Sequence, residues 1–125
     1  MYKKQTPVLV VDAIEPVLPL WQALGFEKIV EVPHGDGFGF VILKADEIEI
    51  MYQTVESIRS DHPRSLERPF GLAALFFEVE NLDAVAARVP KSTEVITRNR
   101  KTFYGSTEMI LRDAAGHVIT FAQME

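Results

Sequence analysis

The chain contains no cysteine, so thiolate metal sites, disulfide frameworks and cysteine nucleophiles are excluded together. What remains able to ligate a metal is His34, His62, His117 and the carboxylates. No spacing gathers the histidines: His34 lies in a glycine-rich turn, His62 in a polar connecting segment, and His117 three positions before Thr120, on the opposite face of a strand. All three read as surface or turn histidines. Glu47 and Glu49 are two residues apart and so share a strand face with Met51 and Gln53. The other candidates are aromatic: Phe38, Phe40 and Phe76 as walls, with the Tyr104 hydroxyl beside them. Aromatic faces next to carboxylates suit a planar or cationic small molecule, through stacking, cation–π attraction and charge-assisted hydrogen bonds. Glu49 also has an enzymatic reading as a general base, with Tyr104 as a polarising hydroxyl, although no partner acid is identifiable. No Ser/His/Asp arrangement is present, and Gly35-Asp36-Gly37-Phe38-Gly39 is hairpin chemistry that opens no helix and cradles no phosphate.

These side chains need strands to aim them, and the chain writes the same set of elements twice. Pro7-Val8-Leu9-Val10-Val11 reads as a strand, followed after Asp12 by apolar residues at helical spacing, Val17, Leu20, Trp21 and Leu24. Asp12 and Glu15 fit a capping box, and Gly25 stands where a left-handed residue closes a helix. Strands follow over Phe26 to Val32, Phe38 to Lys44 and Glu47 to Gln53, with turns at Pro33 to Gly37 and at Ala45-Asp46. In the second half, Ala74 to Val79 reads as a strand, Asn81 as an N-cap, and Leu82, Val85, Ala86 and Val89 as a helix face. Thr93 to Arg98, Thr102 to Arg112 and Val118 to Gln123 complete it, with a turn at Asp113 to Gly116. The order is βαβββ twice, an α+β fold: a first module over 1–54, a polar linker over 55–70 and a second module over 71–125, one structural domain in all. Strand parity sends Glu49, Met51, Ala74, Phe76, Glu78, Val118, Thr120 and Ala122 to one face and Ile50, Tyr52, Leu75, Phe77, Ile119 and Phe121 to the core. Phe38 and Phe40 are expected on the same open face as Glu49.

The doubled βαβββ unit resembles the vicinal oxygen chelate superfamily, which includes glyoxalase I, extradiol dioxygenases and bleomycin-resistance proteins. Besides topology, the resemblance rests on Val8-Leu9-Val10-Val11-Asp12, on Phe77-Glu78-Val79-Glu80-Asn81-Leu82-Asp83, and on Tyr104-Gly105 with Arg112-Asp113-Ala114-Ala115-Gly116-His117-Val118-Ile119. It implies a curved mixed sheet with a concave ligand cleft. In metal-dependent members four residues, one from each of four strands, hold one divalent ion. Here those positions fall on Gln5, Glu49, Ala74 and Thr120, of which only Glu49 is a strong ligand. The expectation is therefore no metal and no other cofactor, as in the bleomycin-resistance branch, whose members sequester a drug without chemistry. The ligand-binding set expected is Gln5, Phe38, Phe40, Glu47, Glu49, Met51, Ala74, Phe76, Tyr104 and Thr120, more in keeping with a binding protein than an enzyme. A metal-dependent lyase, isomerase or dioxygenase of the same fold is the alternative, and an interaction module without a ligand is a third. The family also implies a homodimer, which would answer the exposed sheet edges.

Composition bounds the partners. With 125 residues, 47% hydrophobic and 25% charged, the chain suits one globular domain and is too apolar for disorder. A net charge of −5 with no basic patch disfavours nucleic acid and acidic membranes and is compatible with a neutral or cationic small molecule. No apolar run is long enough to cross a membrane and none follows the N-terminus as a secretory signal, so the expected address is the cytoplasm.

Overall fold

A computed structural model describes all residues, 1–125. The chain divides into two compact units, Met1–Gly71 and Leu72–Glu125. In the first, β1 (Val8–Val11) leads through a 3-10 turn (Glu15–Val17) into α1 (Leu18–Ala23), then β2 (Glu27–His34), β3 (Gly37–Ala45), β4 (Ile48–Thr54), α2 (Val55–Asp61) and a second 3-10 turn (Pro63–Glu67). In the second, β5 (Ala74–Glu78) precedes α3 (Leu82–Arg88), β6 (Glu94–Lys101), β7 (Ser106–Arg112) and β8 (Val118–Met124). Each unit holds one four-stranded mixed sheet, ordered β1-β4-β3-β2 in the first and β5-β8-β7-β6 in the second. The first strand of each unit runs parallel to the last, and the remaining pairs are antiparallel. The repeated α+β order expected from the sequence is thus present in both halves.

The helices explain which face of each sheet is core. Proline at 16 and 19 tightens the chain into a 3-10 turn, so α1 is only six residues long and buries Leu18, Leu20 and Trp21. The Trp21 indole N–H donates to the Tyr52 hydroxyl at 2.8 Å, which fixes α1 on the Tyr52 face of β4. On that face Ile50, Tyr52, Val41, Leu43 and Leu9 are each 1% exposed or less. α1 ends at Gly25, whose φ of 92° is left-handed, with Gly25 N–H bonded to Gln22 O and Phe26 N–H to Trp21 O in the Schellman pattern. In the second unit the Asn81 side chain caps α3 by accepting from the Ala84 N–H at 3.0 Å, while Leu82, Phe77 and Phe121 fill the core, the two rings stacked 5.3 Å apart.

Three local expectations change. Glu15 makes no capping box with Asp12; its Oε2 accepts from the Phe38 N–H at 2.8 Å, a backbone bond that holds its carboxyl below the ordinary value, with Lys28 adding a smaller effect. The polar segment after β4 is helical over Val55–Asp61, with Ile58 its one buried residue and Thr54 its cap. His117, expected at the surface, is 1% exposed, and its Nδ1 accepts from the Ala73 N–H at 2.8 Å. It belongs to the closing hairpin, where Asp113 Oδ1 accepts from the N–H groups of Ala115 and His117 and Gly116 takes φ 96°.

Candidate functional site

Each sheet has a face turned away from its own helix, and register lists what that face carries. In the first unit Phe40 pairs with Gln53 and Val32, Ile42 pairs with Met51 and Val30, and Val8 pairs with Met51. Rows of apolar side chains therefore cross the sheet, and several stay accessible: Val8, Val30 and Val32 are 39–48% exposed. Lys44 pairs with Glu49 in the next row. The Glu49 side chain is 15% exposed and forms an ion pair with Lys4, from the segment ahead of β1. Glu47 lies exposed in the turn before β4, and Gln5 is exposed in the N-terminal segment.

Phe40, Glu49 and Met51 thus share the open face of the first sheet, but Phe38 does not. Val32 pairs with Phe40 and Pro33 with Phe38, so one extra residue, Gly39, is accommodated in β3 as a bulge. A bulge reverses the alternation beyond it. Phe38 is carried to the helix-packed face, where Lys28 Nζ sits 4.1 Å from its ring centroid and Lys28 itself stands opposite the buried Leu43.

In the second unit Ala74 pairs with Val118, Phe76 with Thr120 and Glu78 with Ala122, and these continue into Arg112, Ile110 and Glu108 on β7. Phe76 is 58% exposed, a large ring with little cover. Tyr104 is engaged: its hydroxyl donates to Glu108 Oε2. Ser106 Oγ donates to the same oxygen at 3.0 Å and Arg100 Nη1 to Oε1 at 2.9 Å. Glu108 is 1% exposed. Burial alone would push its carboxyl up, but the two hydroxyls and the guanidinium outweigh burial and hold it below the ordinary value. Sequence reading missed Glu108; its only signal was its parity with Ile110 and Arg112.

The four positions at which the sequence pattern expects metal ligands do not fit a divalent ion. Ala74 has no donor atom, Thr120 offers a neutral hydroxyl, Gln5 is exposed, and the one carboxylate, Glu49, is paired with Lys4. Three competent ligands are the minimum for such a site, and no three His, Asp or Glu side chains gather within either unit.

The sequence profile of the Glyoxalase/Bleomycin resistance protein/Dioxygenase superfamily matches residues 6–121. No curated protein sequence matches the chain. Among solved structures, TioX from Micromonospora sp. ML1 is similar with a TM-score of 0.75 at 13% identity, covering 99% of this chain and 100% of that one. A glyoxalase/bleomycin resistance protein/dioxygenase family enzyme from Burkholderia phytofirmans PsJN gives 0.74 at 17% identity, covering 96% and 97%. A bleomycin-binding protein complexed with bleomycin gives 0.69 at 14% identity, covering 99% and 100%. At these identities the likeness is one of fold.

Proposed function

Since the chain belongs to the glyoxalase/bleomycin resistance protein/dioxygenase superfamily, we propose that it is a metal-free binding protein that sequesters a small hydrophobic, aromatic or cationic molecule on the open sheet faces. The observation that carries this reading is the donor set: of Gln5, Glu49, Ala74 and Thr120, only one is a strong ligand and its charge is taken by Lys4. The same faces offer Phe40, Met51 and Phe76 as apolar contact. The likeness in fold to a bleomycin-binding protein is a further support. Glu47 and Glu49 are the acidic points of the proposal, with one refinement. A cation reaching Glu49 exchanges with Lys4, so the exposed Glu47 is the more available charge. A homodimer in the cytoplasm completes the proposal, because β1, β2, β5 and β6 are edge strands with unpaired backbone.

The test is a thermal-shift screen with bleomycin and smaller aromatic cations. A ligand present at a hundred times its Kd adds about 2.7 kcal/mol of stability, a readily measured rise in Tm. Glu47→Gln combined with Glu49→Gln is expected to weaken the cationic ligands and spare neutral ones. The reading is overturned if no aromatic cation raises the Tm, or if metal analysis of the purified protein finds one tightly held divalent ion per chain.

A further inference from the structure

The first unit contains a cleft of about 570 Å³, open to solvent, where the end of its sheet meets α2. That size lies within the roughly 300–1,000 Å³ of small-molecule sites. Its floor is a row of neighbours from three strands, Val32, Phe40 and Gln53. Its wall is the side of α2 that carries Ser57, Ser60 and Asp61, and Pro33 and His34 complete the lining.

The local sequence builds this shape. Thr54 caps α2 by accepting from the Ser57 N–H at 3.1 Å, so the helix begins directly after β4 and stands over the sheet end. Gln53 Nε2 then donates to Ser57 Oγ at 3.2 Å, tying floor to wall. Gly39 sets the width. A Cβ there would lie 2.7 Å from His34 Cβ, closer than real side chains approach, and 3.1 Å from Ser57 Cβ, a tight contact, so any larger residue would push these lining side chains aside.

We propose that this cleft binds an aromatic compound carrying a protonated amine, the ring lying on Phe40 and the ammonium directed to Asp61. The electrostatics select the sign of the ligand. No lysine or arginine lines the cleft. Asp61 is the last residue of α2, where the free helix carbonyls add partial negative charge to its own carboxylate. Its side chain is 76% exposed, and its nearest basic neighbour, His62, stands 3.9 Å away, at the limit of an ion pair. An acidic group at the negative end of a helix gains from a cation, and a ring face beside it adds stacking and cation–π attraction. The Ser60 hydroxyl and the Gln53 amide supply neutral hydrogen-bonding positions that orient polar substituents. This inference rests on the binding function above and adds to Glu47 and Glu49 a further acidic point, Asp61, on the far side of the shared Phe40 ring.

The experiment is amide chemical-shift mapping by NMR with tryptamine as the cationic probe and indole as its uncharged counterpart. Tryptamine is expected to move the amides of Val32, His34, Gly39, Gln53, Ser57 and Asp61 and to bind more tightly than indole. Asp61→Asn, a change at an exposed side chain that leaves the fold intact, should weaken tryptamine about threefold and leave indole unchanged. Phe40→Ala should weaken both by about fivefold. If tryptamine moves amides around Glu49, Met51 or Phe76 while those of the cleft stay still, the cleft is overturned and the binding function stands. Equal affinity of the Asp61→Asn variant for tryptamine overturns the cation preference. If no aromatic cation moves any amide at millimolar concentration, both the cleft and the binding function fall.

Discussion

Glu108→Gln keeps the shape of a buried side chain and removes its charge, and the contacts around it set the size of the effect. Two hydroxyls, those of Tyr104 and Ser106, donate to one carboxylate oxygen, and Arg100 donates to the other. A hydrogen bond to a charged acceptor contributes about 1.5–3 kcal/mol net. Glutamine keeps its oxygen on the two hydroxyls and turns its NH2 group toward Arg100, so the hydroxyl bonds go to a neutral acceptor and each weakens by roughly 1 kcal/mol, about 2 kcal/mol in all. Arg100, with its side chain 47% exposed, recovers water and is left out of that figure. For a chain of this length the loss corresponds to a fall in Tm of about 6–12 °C. Acid gives a second handle. The folded-state pKa of Glu108 is depressed, so its stabilisation is complete above the unfolded value of about 4.3 and is lost as pH falls through the folded value. Glutamine does not titrate. The gap in stability between the natural protein and the variant, measured by urea unfolding across a pH series, should therefore be full at neutral pH and narrow below about pH 4. A variant as stable as the natural protein at neutral pH, or a gap that stays constant into acid, would refute the reasoning.

Tyr52→Phe removes the acceptor of the Trp21 indole N–H in a core where both residues are fully buried. It should lower the urea midpoint by the equivalent of about 1–2 kcal/mol with an unchanged slope; an unmoved midpoint would mean that the pair holds nothing. Gly39→Ala places a methyl group 2.7 Å from His34 Cβ and should cost about 1–3 kcal/mol through overpacking, with shifted His34 and Ser57 resonances. A silent substitution there would show that the bulge does not set the width of the cleft.

The parts of the fold legible in the sequence are those governed by short-range pattern. Alternation placed Ile50 and Tyr52 in the core and left Glu49 and Met51 on the other face because nothing interrupts β4. Asn81 and Gly25 act within a few residues of themselves, as cap and helix stop, and were readable for that reason. Phe38 was misplaced because one extra residue in β3, decided by its pairing with β2, turns the side chain over. α2 escaped notice because a single buried residue, Ile58, gives no periodicity to detect. Glu108 was missed for a different reason. A carboxylate is expected in water, and only the convergence of Tyr104, Ser106 and Arg100, brought in by the hairpin and the neighbouring strand, makes its burial tolerable.

The parallel pairing of first and last strands governs how the chain must assemble. Val8 finds its place beside Met51 and Ala74 beside Val118, while the hairpins β2–β3, β3–β4, β6–β7 and β7–β8 join neighbours in the chain. The hairpins are local contacts, expected to form early, whereas closing β1 onto β4 or β5 onto β8 joins residues more than forty apart, from Val8 to Met51 and from Ala74 to Val118, and is expected to be the slow, entropy-limited step. During synthesis the strand Val8-Leu9-Val10-Val11 emerges before its partner and waits unpaired until β4 has been made. In that interval it is an apolar edge available to other chains. The second unit repeats the delay up to its final strand, so the chain meets the same hazard twice, and each time the strand made last ends it.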